Sequence, residues 1–162
     1  MTSAESVAGT AVAAHTAVPT PPRKARLAAV QSAPVFLDRA GAVEKSCALI
    51  REAGAAGASI IGFPEGFIPT HPLWYHFYPA SSPEAFEYAR RLSDNAVEIP
   101  GPDLDALSAA AAESGIFVVM GCCERATGRP GTLYNTLLFI NAEGRLVGRH
   151  RKIVPTLGER LV

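Results

Sequence analysis

Glu65 closes the run Ile60-Ile61-Gly62-Phe63-Pro64-Glu65-Gly66, and Lys152 sits in Gly148-Arg149-His150-Arg151-Lys152-Ile153-Val154-Pro155-Thr156. Each terminates a stretch that reads as a buried strand, so an acid and a base are delivered to strand ends, where ligands gather in α/β proteins. A carboxylate partly desolvated there has its pKa raised toward neutrality, and it can take a proton from a nucleophile and return it to a leaving group. Glu65 is the candidate general base. A lysine offers a fixed positive charge to an atom that turns negative in a tetrahedral transition state. Lys152 is the candidate for that role. Glu159 lies beyond Pro155 and next to Arg160. From position alone it reads as an ordinary surface Glu–Arg pair, with an orienting role toward the lysine or the base as the alternative.

The remaining reactive side chains carry weaker signals. Cys47 falls on the apolar face of a helical segment and reads as a small buried thiol. Cys122 and Cys123 are adjacent in a strand and face opposite ways, so they cannot grip one metal together. No cysteine occupies the place a nucleophile would need beside Glu65 and Lys152. His71, His76 and Glu65 could supply metal ligands, but the histidine spacing in a proline-rich loop matches no standard site. No metal and no cofactor is expected. Within Arg149-His150-Arg151-Lys152 strand alternation puts Arg149 and Arg151 on one face and His150 and Lys152 on the other, which breaks up a nucleic-acid patch.

The elements that must position these groups follow from periodicity and punctuation. Leu27 to Gln31 is a short apolar strand, and Asp38 caps a helix with Val43, Cys47 and Ile50 on one face, ended by Gly54 and Gly57. Ala58 to Phe63 is a second strand. Ile68 to Pro83 holds several aromatics among prolines and reads as an ordered loop that could wall a pocket. His71 and Trp74 from this loop, with Tyr134, are the candidate pocket residues. Pro83 to Leu92 is a short helix, and Pro102 opens another that carries Leu104, Leu107 and Ala111 and stops at Gly115. Ile116 to Cys122, Tyr134 to Ile140 and Arg145 to Ile153 are strands, the last two joined as a hairpin by Asn141-Ala142-Glu143-Gly144. The expected order is β-α-β-loop-α-α-β-β-β: an α/β fold with helices on one face of one sheet and nothing left to cover the other.

Length and composition bound the rest. A chain of 162 residues with 48% hydrophobic content supports one domain, or part of one, with a real core. Residues 1–25, rich in Ala, Thr, Val and Pro, read as a disordered tail ahead of a folded unit at 26–162, and they show neither a signal peptide nor a membrane span. Basic and acidic residues balance at 15 each, so no overall field attracts nucleic acid or acidic lipid, and a small, weakly charged substrate fits better. An odd number of cysteines argues against a disulfide framework and for the reducing cytoplasm.

Phe63-Pro64-Glu65 and His150-Arg151-Lys152-Ile153-Val154-Pro155-Thr156, followed by Glu159-Arg160, resemble the nitrilase family of carbon–nitrogen hydrolases. Gly121 to Arg125, followed by Thr132-Leu133-Tyr134-Asn135-Thr136, is most similar to the nitrilase and cyanide-hydrolysing branches. The resemblance implies half of an α-β-β-α sandwich. It also implies a catalytic Glu-Lys-Cys set in which Glu65 is the base, Lys152 the stabiliser of the tetrahedral intermediate and Glu159 the supporting acid. The family's nucleophilic cysteine lies in a Cys-Trp-Glu-type segment downstream of the lysine, which this sequence does not reach. The implied reaction takes a nitrile to a carboxylic acid and ammonia through a thioimidate and a thioester, with this chain inactive alone and the full-length protein a homo-oligomer. Gly66 and Thr70-His71 depart from the family pattern beside the expected pocket, which leaves the particular nitrile or amide open. The alternative is a non-catalytic partner that associates with a full-length relative through the uncovered face.

Overall fold

In the computed structural model, which describes residues 24–129 and 131–162, four parallel strands and an antiparallel hairpin extension form one sheet. The elements are β1 (Leu27–Ala29), α1 (Arg39–Ala55), β2 (Ile60–Gly62), α2 (Pro83–Asp94), β3 (Val97–Glu98), α3 (Pro102–Ser114), β4 (Phe117–Arg125), β5 (Leu133–Ile140) and β6 (Leu146–Arg151). Short 3-10 turns lie at Leu73–His76 and Gly158–Arg160. The disordered-tail expectation falls mainly on residues outside those described.

The caps read from sequence are in place. The Asp38 side chain accepts from Gly41 N at 3.0 Å, and Gly115 stops α3 with a left-handed φ of 60°. Gly54 is a correction: it lies inside α1, not at its stop, and its missing side chain lets the helix approach Ser114 at the end of α3. The short β3 is an addition. Two residues show no period, and Val97 and Glu98 become a strand only because β4 offers Glu124 and Arg125 as partners.

The strand order is β1-β2-β4-β5-β6, with β3 beside the end of β4. β1, β2 and β4 run parallel, and β4-β5 and β5-β6 are antiparallel. Two antiparallel steps restore direction, so β6 runs the same way as β2 and their C-terminal ends lie at one end of the sheet. That places Glu65 and Lys152 at the same end of the sheet.

Packed over one face, α1 and α3 bury Ile50, Leu104 and Leu107 against Ile61, Val118, Met120, Leu138 and Ile140. Alternation sends Cys122 into this core and Cys123 to the other side, where it joins Leu37, Trp74, Ala85 and Leu92. So α2 and the 3-10 turn seat one end of the second face. Val119, Leu137 and Phe139, further along that face, are only half-buried.

Candidate active site

The four residues Pro64 to Phe67 leave the line of the sheet just past β2 and carry Glu65 with them, while Lys152 follows the last residue of β6. Its backbone N–H donates to Asn135 O at 2.8 Å, which fixes where its side chain starts. Lys152 Nζ then donates to Glu65 Oε1 at 2.7 Å and to Glu159 Oε2 at 2.8 Å. Glu159 is brought in by the Gly158–Arg160 turn and locked by Thr156, whose N–H and hydroxyl both donate to it at 2.6 Å. Arg160 bonds Pro155 O instead of Glu159, so the surface Glu–Arg pair does not form. One ammonium between two carboxylates is the result.

Asn135 closes the cluster. Its side-chain amide donates to Glu65 Oε1 at 2.5 Å and also to Glu159. Sequence reasoning missed this residue because an uncharged side chain within a strand carries no signal of its own. The β5–β6 register does: Thr136 opposes Arg151, so Asn135 comes opposite Lys152.

The charge states follow from these bonds. For Glu159, burial pushes the pKa up, but hydrogen bonds from Lys152, Thr156 and Asn135 outweigh it and hold the carboxyl at about 2. Bonds to Glu159 and Glu65 raise Lys152 further above its ordinary value. Glu65 departs from expectation. Its side chain is half-exposed, and the hydrogen bond from Lys152 lowers its pKa against the upward push of partial desolvation. It is therefore an ionised carboxylate, not one tuned toward neutrality.

A cavity of about 300 Å³ opens beside the cluster, lined by His71, Tyr134, Asn135, Lys152 and Glu159 with the apolar Leu92, Leu133 and Ile153. His71 and Tyr134 thus face the cavity. Trp74 does not: it packs one layer behind, in the cluster with Leu92 and Cys123. Cys122 and Cys123 reach the cavity wall, but burial pushes both thiols up, Cys123 to about 12, so neither is a thiolate at neutral pH. Glu65, His71 and Glu159 bring ligand atoms within 4.8 Å of one another, without His76. The Lys152 ammonium already bonds both acids at that spot, where a cation would otherwise sit.

Beneath the wall lies a second charged group. Glu124 is 1% exposed and accepts from Thr136 Oγ1 at 2.8 Å, from Arg149 at 3.3 Å and from both ends of the Arg151 guanidinium. Arg149 and Arg151 do share a face, as strand alternation requires. Arg151 also stacks 3.9 Å over the Tyr134 ring.

Residues 26–161 match the family model described as carbon-nitrogen hydrolase. The chain belongs to the carbon–nitrogen hydrolase family. Among curated relatives it is 43% identical over 137 residues to a protein named Nitrilase 2 from an unknown prokaryotic organism, covering 83% of this chain and 42% of that protein. It is 40% identical over 141 residues to an aliphatic nitrilase from Sinorhizobium fredii, covering 85% and 44%. The chain spans less than half the length of these relatives. An amidase from Nesterenkonia sp. shares the fold with a TM-score of 0.59 at 16% identity, over 85% of this chain and 46% of that one. A carbon-nitrogen hydrolase from Helicobacter pylori G27 does so with a TM-score of 0.56 at 16% identity, over 85% and 43%. The sheet and helices are thus about half of a nitrilase-type fold. Among the described residues no helix is long and apolar enough to cross a membrane.

Proposed function

We propose that this chain is the base-and-lysine half of a nitrilase-type hydrolase that converts a small, uncharged nitrile to a carboxylic acid and ammonia, with amides of the same size as related substrates. The observation that carries the reading is the Lys152 ammonium held within 2.8 Å of both Glu65 and Glu159, beside a largely apolar cavity. In the proposed sequence Glu65 accepts the proton of an attacking thiol, sulfur bonds to the nitrile carbon, and the proton passes to nitrogen to give a thioimidate. Lys152 stabilises the nitrogen or oxygen that gains negative charge, and Glu159 with Asn135 keeps the ammonium in place. Water then adds, ammonia leaves, and a second water hydrolyses the thioester. The thiol comes from outside the three cysteines here: Cys47 is on α1, and Cys122 and Cys123 are buried and protonated. Free thiols suit a reducing compartment, and the cytoplasm is the proposed location.

Ammonia release from aliphatic and aromatic nitriles tests this. The 162-residue chain alone is expected to release none, and a version extended through the family's downstream cysteine is expected to turn over. Turnover by the short chain, or an extended enzyme indifferent to Glu65→Gln, would sink the assignment. The extended protein is expected to be a homo-oligomer by sedimentation.

The half-buried Val119, Leu137 and Phe139, with Ile153 84% and Leu157 69% exposed, favour a second reading. In it the chain is a non-catalytic partner that docks on a full-length relative. Co-elution with such a relative in size-exclusion chromatography supports it, and a monomer that ignores the relative counts against it.

A further inference from the structure

Phe63 N donates to Val119 O at 2.9 Å and Ile68 N donates to Gly121 O at 3.2 Å, while Cys123 N returns a bond to Ile68 O at 2.7 Å. The chain thus pairs with β4 before and after Pro64 to Phe67. Those four intervening residues span a step of only two on β4, so they must arch out of the sheet, and Glu65 rides on the arch. What lies under it is Gly121. A Cβ added there would meet Pro64 O far inside van der Waals contact and would lie 3.0 Å from both Glu65 Cα and Gly66 N. All three are backbone atoms that cannot rotate aside. Gly121 is not among the glycines with positive φ, so crowding and not backbone conformation demands the missing side chain.

We infer that Gly121 is a positioning residue for Glu65: its bare Cα lets the arch settle on β4 at the height where the carboxylate meets Lys152 and Asn135. The backbones of Lys152 and Asn135 are held to each other across β5 and β6, apart from the arch, so lifting the arch lengthens the contacts that Glu65 makes with them. The catalytic meaning of the inference rests on the proposed role of Glu65; the geometry does not.

The test is a carbon-13 NMR titration of the Glu65 carboxyl in the 162-residue chain, assigned by its loss in Glu65→Gln. Gly121→Ala is expected to raise the Glu65 midpoint by roughly one pH unit as the Lys152 contact lengthens. Gly54→Ala is the control for crowding alone, because a Cβ there lands 2.7 Å from Ser114 Cβ at the α1–α3 contact. It is expected to leave Glu65 where it was. A folded Gly121→Ala chain with an unmoved Glu65 midpoint overturns the inference. Should that variant fail to fold, nuclear Overhauser contacts between the Gly121 and Glu65 Hα protons of the unsubstituted chain decide it, their presence supporting the inference and their absence overturning it. A shifted midpoint in Gly121→Ala together with full turnover by an extended Glu65→Gln enzyme would instead support the positioning and remove Glu65 as the base.

Discussion

Lys152 is held by two acids of unequal surroundings, and that inequality sets what each can do. Glu159 is nearly buried and has its oxygens occupied by Lys152, Thr156 and Asn135, so it is a fixed counter-charge. Glu65 is half-exposed and has the freer oxygen, which suits proton transfer. Because the folded pKa of Glu159 lies below its ordinary 4.5, its contribution to stability is complete above 4.5 and is lost as pH falls toward about 2. The unfolding free energy from urea denaturation is expected to drop through that window by on the order of 1–3 kcal/mol after discounting for solvent screening, and Glu159→Gln is expected to flatten the drop. In an active extended enzyme, Lys152→Ala is expected to lower kcat by about 100-fold or more, which steady-state kinetics would read directly.

At the scale of elements, Glu124 ties three strands. Lying on β4, it receives Thr136 from β5 and both arginines from β6, and Arg151 in turn covers Tyr134 at the cavity wall. Truncating one member of a buried charged network strands the others. Glu124→Ala is expected to cost about 3 kcal/mol in urea denaturation, somewhat less than a wholly buried pair because the arginines reach water. The helices depend on a different force. Leu107 of α3 is fully buried among α1 and the sheet, and Leu107→Ala is expected to cost about 2–5 kcal/mol with little change in the Glu65 titration. The hairpin shows where sequence reading runs short. Its strands and the Asn141–Gly144 turn were legible, but counting back from the Ile140–Leu146 pair beside the turn puts Arg151, not Lys152, opposite Asn135. A bulge between Phe139 and Ile140 shifts the register by one residue. A slip of one exchanges the two faces of a strand, so this bulge decides which basic residue meets the acids.

Across the whole molecule, one face of the sheet is packed and the other is finished only at the end that carries α2 and Trp74. Val119, Leu137 and Phe139 are the unfinished part, and a sheet face of this kind is stable when a second layer covers it. In the proposed enzyme that layer also shuts the cavity and dries the half-exposed Glu65, which would move its pKa upward and make it the stronger base. The extended protein is therefore expected to bind the apolar dye ANS far less than the 162-residue chain, as fluorescence would show. Equal dye binding would mean that the face stays open.

Most of the fold was legible because its causes are local: Asp38 and Gly115 at helix ends, Pro102 at a first turn, and alternating apolar residues in β4 and β5 each act within a few residues of themselves. The pairing of Glu65 with Lys152 was half-legible, since strand ends announce where an acid and a base emerge but not that two antiparallel steps turn β6 back to the direction of β2. The loop from Ile68 to Pro83 advertised aromatics without saying which face the cavity; His71 does, and Trp74 turns inward because Leu92 and Cys123 offer it apolar cover. Asn135, the Glu124 network and the bare Cα of Gly121 were decided by tertiary structure alone. Each acts by what stands across from it, and that is set by register and by the path of a distant loop, neither of which a residue's own neighbours in sequence contain.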